Sequence, residues 1–178
     1  WTTTLGGTGT PATYSREVAV DGSGNVHVTG YFDETVNFGA GNVTSAGVYD
    51  VFVTKLNSSG AHQWTTTLGG TGDDAGWGVA VDASGNVHVT GYFTGTVNFG
   101  AGNVTAGGAT DGFVTKLNSS GVHQWTTTFG GTGAAAYSWQ VAVDGSGNVH
   151  VTGYFDGTVD FGAGDVASAG DYDAFVTK

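Results

Sequence analysis

The sequence predicts an all-β fold built from three copies of one antiparallel four-stranded unit, each about 61 residues long. Three observations carry this. Long segments return at fixed intervals, apolar residues alternate with polar ones between glycine-rich turns, and no stretch holds a helical period. W-T-T-T-L-G-G-T-G at Trp1 returns at Trp64 and, with Phe for Leu, at Trp125, spacings of 63 and 61 residues. The 34 glycines and the single proline, Pro11, suit many short strands joined by tight turns. The glycines do not recur every third residue, which excludes a collagen triple helix. The alternating Val, Tyr, Phe and Trp supply the apolar surface that disordered chains lack.

Within the first unit the elements follow in order. Residues 18–20 form a short first strand. Asp21-Gly-Ser-Gly-Asn25 is a hairpin loop in which Asp starts the turn and Gly supplies a positive φ. Residues 26–32 form the second strand, and a glycine-rich excursion follows with an extra short strand or hairpin at 35–38. The third strand covers 51–56, Asn57-Ser-Ser-Gly60 turns the chain, and the fourth strand covers 62–68. The long segment V-A-V-D-G-S-G-N-V-H-V-T-G-Y-F from Val18 returns from Val79, with Ala83 for Gly22, and from Val141. F-V-T-K closes each unit, at Lys55, Lys116 and Lys178. The repeats therefore cover about 1–63, 64–124 and 125–178 of one repeat domain. Four antiparallel strands per unit is the make-up of a propeller blade. The unit exceeds the roughly 40–45 residues of a WD40-type blade, so a β-solenoid or other stacked array is the fallback.

The charge narrows the partners. Fifteen acids stand against Arg16, Lys55, Lys116 and Lys178, a net charge of −11. Such a chain repels phosphate backbones and anionic membrane surfaces, so neither nucleic acid nor membrane insertion is expected. The absence of cysteine excludes disulfides and thiolate metal sites. The chain begins at Trp1 and contains no methionine, which is read as a removed leader or an excerpt of something longer.

The combination W-T-x-x-x-G-G-x-G, then V-A-V-D-x-S-G-N-V-x-V-T-G-Y-F, then D-x-F-V-x-K-L-N-x-x-G resembles the bacterial β-propeller repeat called SBBP. The resemblance covers essentially the whole chain in three copies, apart from the long glycine-rich excursion. It implies bacterial, usually exported, multi-repeat proteins with no assigned catalytic residues, and so a secreted or cell-surface location.

Candidate sites divide by whether they recur. Asp21, Asp82 and Asp144 open identical turns. A calcium loop is one reading, but the spacing lacks the alternating acidic ligands such loops use, and capping of the turn accounts for them. His27, His88 and His150 share one column, His62 and His123 another; they read as hydrogen-bonded residues between blades rather than a convergent metal ring. A residue needed once for chemistry occurs once, so the recurring Asp50, Asp111 and Asp173 read as structural. The unique Glu17, Glu34, Asp73 and Asp74 join no nucleophile, base or metal motif. No enzyme and no cofactor is expected. Trp1, Trp64 and Trp125 read as blade core.

One segment diverges between copies. It runs from G-G-T-G to V-A-V and reads as a loop carrying Tyr14, Arg16, Asp73, Asp74, Trp77, Tyr137 and Trp139, with Trp77 and Trp139 in non-matching columns. Varied loops on a repeated scaffold are where binding resides, and this mixture suits carbohydrate or a protein partner. Asn42, Asn57, Asn103 and Asn118 match the N-glycan acceptor pattern.

The last expectation concerns assembly. Trp1, Thr2, Thr3, Thr4 and Leu5 read as the fourth strand of a unit, and Phe175, Val176, Thr177 and Lys178 as a third strand without a fourth. Residues 1–5 are expected to pair with the F-V-T-K strand of a neighbouring copy. Closed pairing gives a six-bladed dimer and open pairing a fibre, the fibre or a longer array being favoured. The leading expectation is a non-enzymatic extracellular structural or adhesive repeat module that assembles with copies of itself; the alternative is a ligand-binding propeller.

Overall fold

The computed structural model describes residues 1–7 and 12–178, and every described element is a strand, bridge or turn. The first blade holds β1 (Thr13–Val20), β2 (Val26–Phe32), β5 (Asp50–Leu56) and β6 (His62–Gly70), with the hairpin β3 (Thr35–Asn37) and β4 (Asn42–Thr44) between β2 and β5. The second holds β7 (Ala75–Val81), β8 (Val87–Phe93), β11 (Asp111–Leu117) and β12 (His123–Phe129), with β9 (Thr96–Asn98) and β10 (Asn103–Thr105) as its hairpin. The third holds β13 (Ala135–Val143), β14 (Val149–Asp156) and β17 (Asp173–Thr177), with β15 (Thr158–Asp160) and β16 (Asp165–Ala167) as its hairpin. Each blade is an antiparallel meander.

Two differences from the sequence reading stand out. The first strands begin five residues before Val18, at Thr13, so the divergent segment is mostly strand rather than loop. The third blade has three described strands, in keeping with the reading of residues 175–178 as a third strand without a fourth, and β17 has one bonded edge. Residues 1–5 form no strand and do not clasp β17; Gly6 bridges Asn37 in the first blade's own hairpin. Pro11 lies outside the described residues.

The excursion that lengthens the unit ties neighbouring blades together. Gly69 and Gly70, at the end of the first blade's outer strand, pair with β9 of the second blade. Gly130 meets Asp160 of the third blade in the same way. A side chain at Gly70 would run into the Thr96 carbonyl, and one at Gly131 into that of Thr158, which is why W-T-T-T-L/F ends in two glycines.

Blades stack through repeated apolar faces. Val51, Val53 and Leu68 of the first blade pack on Val79, Val87, Val89, Phe113 and Leu117 of the second. Val114 and Phe129 of the second pack on Val141, Val151 and Phe175 of the third. Each hairpin inserts one phenylalanine against two from its blade: Phe38 lies 5.2 Å from Phe32 and 4.8 Å from Phe52, and Phe99 and Phe161 repeat the arrangement. Among the described residues no helix is long and apolar enough to cross a membrane.

The recurring Trp column is not blade core. Trp1 is 66% exposed and Trp125 37% exposed. Trp64 lies over Gly121 of the next blade's turn, and its indole N–H donates 3.1 Å to the Ser119 carbonyl. Trp1 lies over Gly60 and donates 3.0 Å to Ser58 in the same manner. Trp64 thus latches an outer strand onto the turn of the following blade, and Trp1 holds the N-terminal segment to the first blade's turn.

Candidate functional site

The site is built from the inner strands β1, β7 and β13. Each pairs regularly with its neighbour until one residue is skipped: between Ser15 and Glu17, between Gly76 and Gly78, and between Ser138 and Gln140. The skipped residues are Arg16, Trp77 and Trp139. A bulge bends the strand and re-aims one side chain. Glycines 30, 91 and 153 lie beside it because a side chain there would strike the carbonyls of Tyr14, Ala75 and Tyr137. Trp77 and Trp139 therefore share one column, contrary to the sequence reading. Counting back two residues from each V-A-V would have found it.

The three bulge residues touch in sequence. The Arg16 guanidinium lies 4.3 Å from the Trp77 ring centre and 5.0 Å from that of Tyr31, and it donates to the Tyr31 hydroxyl. Trp77 and Trp139 stack with centroids 5.6 Å apart and planes 10° from parallel. Tyrosines extend the run at both ends. Tyr14 and Tyr49 pack on Tyr31 at 5.1 and 5.0 Å. Trp139 meets Tyr154 edge-on at 5.2 Å, and Tyr154 meets Tyr137 at 4.9 Å and Tyr172 at 5.1 Å. The repeated tyrosines 31, 92 and 154 were not singled out from sequence, because a residue of every copy reads as structural.

Acids beside this run have separate duties. Glu17 reaches from the first blade to accept the Val79 N–H of the second at 2.6 Å. Gln140 of the third blade, its carboxamide nitrogen turned inward, donates to Glu17 at 2.9 Å. One carboxylate thus ties three inner strands. Asp73 accepts from the Tyr92 hydroxyl at 3.5 Å. Asp74 is fully buried and accepts from the Gly70 and Thr94 N–H groups at 2.8 and 3.1 Å. Burial, abetted by nearby Asp50 and Asp73, pushes its carboxyl up to about 7 against those hydrogen bonds. Asp73 and Asp74 thus join the run through a tyrosine and the backbone, while Arg16, Trp77, Trp139, Tyr14 and Tyr137 form it directly.

The recurring polar columns have partners of their own. Asp21 accepts from the N–H groups of Ser23 and Asn25 at 2.9 and 3.0 Å and from the Asn25 carboxamide at 2.8 Å; Asp82 and Asp144 repeat this. These donors hold all three carboxyls well below the usual range against the cost of burial at Asp21 and Asp82. An oxygen set occupied by N–H donors, with the Lys55 ammonium 3.7 Å away, does not suit a cation. His27 Nε2 lies 3.4 Å from Asp21, and burial lowers the basicity of His27 and His88. His62 and His123 each sit 2.9 Å from a threonine hydroxyl.

The glycan acceptor motifs fall in two settings. Asn57 and Asn118 fold their carboxamide oxygens over their own turns, accepting from residues 59 and 61 or 120 and 122. Asn42 and Asn103 are exposed on the outer hairpins.

The outward faces of the first and third blades are open. Val18 and Val20 are 59% and 63% exposed, whereas Val79, the counterpart of Val18, is 4% exposed in the first interface. Val176 is 79% exposed, whereas its counterparts Val53 and Val114 are 0% and 4% exposed. A groove of about 240 Å³ on the first blade is lined by Trp1, Leu5, Val26, Val28 and Phe52. The equivalent groove between the second and third blades is lined by Trp125, Phe129, Val149 and Val151, and there Val114 forms one wall.

Residues 1–31 match the family model described as a beta-propeller repeat, SBBP. Over 132 residues, 67% of the chain, the sequence is 29% identical to an uncharacterized WD repeat-containing protein of Acanthamoeba polyphaga mimivirus. The chain spans 9% of that relative's length.

Proposed function

We propose, from the match of residues 1–31 to a beta-propeller repeat model, that this chain serves as a non-enzymatic, extracellular structural or adhesive module whose blades stack head to tail onto further copies. The observation that carries this reading is the duplicated interface. The same columns meet between the first and second blades and again between the second and third, and the outward faces present those columns exposed. A head-to-tail contact of this kind is heterologous: it closes into a ring if the rotation permits and otherwise extends.

Strand pairing supports the same contact. In the first blade Val51, Phe52, Val53, Thr54 and Lys55 pair with Leu68, Thr67, Thr66, Thr65 and Trp64. The same register sets Ala174, Phe175, Val176, Thr177 and Lys178 of one copy against Leu5, Thr4, Thr3, Thr2 and Trp1 of another. Pairing would satisfy the open edge of β17, a liability for any exposed strand. Purified chain should give polymers or rings by electron microscopy and sedimentation. Removal of residues 1–5 should abolish them while the β-type circular dichroism persists. Assembly unaffected by that deletion would refute the clasp.

A second reading, a carbohydrate- or protein-binding propeller, rests on the exposure of Tyr14, Trp139 and Tyr172 at 47%, 45% and 58%. A glycan-array or pull-down signal lost on Trp77→Ala and Trp139→Ala would favour it.

A further inference from the structure

Resting on the head-to-tail reading, we infer a specific contact at its centre: the Arg16 guanidinium of one copy stacks on the open face of Trp139 in the next. The bulge residue of each inner strand touches that of the following blade, first Arg16 on Trp77 and then Trp77 on Trp139. The blade-to-blade step that generates these two contacts, applied once more, sets Trp139 against the bulge residue of a further first blade. That residue is Arg16.

The chemistry at both ends agrees with this. One face of the Trp139 indole lies flat on Trp77, and the residue remains 45% exposed. Arg16 is exposed as well. Among the described residues the ion pairs of the basic side chains use Lys55, Lys116 and histidines, and none engages Arg16. A guanidinium over indole is the favoured cation–π geometry, and it strengthens when a second surface excludes water from it. Tryptophan and arginine are also the residue types that dominate binding energy at interface centres. In a chain with only four lysines and arginines and a net charge of −11, this places a positive group where two acidic copies must approach.

The test uses two chains that can meet through one interface only. Val18→Asp blocks the face of the first blade and Val176→Asp that of the third; both sites are exposed in the single chain, so the substitutions spare its fold. Mixed, the two form a dimer through the third blade of the Val18→Asp chain and the first blade of the Val176→Asp chain. Adding Trp139→Ala to the Val18→Asp chain, or Arg16→Ala to the Val176→Asp chain, should weaken the Kd about tenfold. Swapping the two additions between chains removes the same intrachain contacts but leaves the interface intact, and should leave Kd unchanged. Equal effects in both arrangements, or no effect in either, overturn the contact while leaving the head-to-tail reading standing. Failure of the parent pair to associate overturns both.

Discussion

Glu34 is the non-glycine residue at positive φ among the described residues, at 50°. Its counterparts are Gly95 at 64° and Gly157 at 66°. A side chain in this region crowds the following carbonyl, whereas glycine enters it freely. Glu34→Gly should therefore stabilise the chain by about 0.5–1 kcal/mol, measured by urea unfolding; a loss of stability would show that the glutamate has a role of its own. Asp74 gives a second prediction at this scale. Its folded carboxyl sits near 7 against 3.8 when free. The fold therefore holds a proton that the unfolded chain has released. The resulting stability is complete below pH 3.8 and is lost as pH rises toward 7, by at most about 4 kcal/mol. Asp74→Asn cannot ionise, so wild-type stability minus variant stability should fall between about pH 4 and 7 and level off above it. A constant difference would contradict the burial argument. Neither residue was legible as special in the sequence: Glu34 looked like one more unique acid, and Asp74 one more divergent one.

At the level of elements, sequence periodicity located the hairpins and second strands closely because the D-x-S-G-N turn and the V-H-V-T-G-Y-F alternation recur without change. It missed the start of the first strands. A bulge breaks the two-residue alternation at Arg16, Trp77 and Trp139, so a strand there reads as a loop. The outer-strand tryptophans were misread for a different reason: a large apolar residue in every copy suggests core, yet Trp64 acts between one blade and the next turn, and Trp1 between the N-terminal segment and the first blade's turn. The latch has a measurable consequence. Trp64→Ala removes the bond to Ser119 and packing against the first blade interface, and should cost about 2–3 kcal/mol. Trp125, more exposed, should cost less. Equal losses in thermal or urea unfolding would argue against the latch.

For the whole molecule, the number of units and their all-β character were plain from the repeat. The interlocking of units was not, because pairing of Gly69 and Gly70 with β9 joins residues about thirty apart across a blade boundary, and no local pattern encodes it. That interlock lets one interface geometry recur, and the proposed assembly extends it beyond the chain. Sedimentation velocity of the Val18→Asp and Val176→Asp chains, alone and in equal mixture, tests this most directly. Head-to-tail stacking predicts that the unsubstituted chain sediments faster with rising concentration, that each variant alone remains a monomer, and that the mixture forms a dimer and nothing larger. An unsubstituted chain that stays monomeric at several hundred micromolar, or a mixture that does not associate, would contradict it.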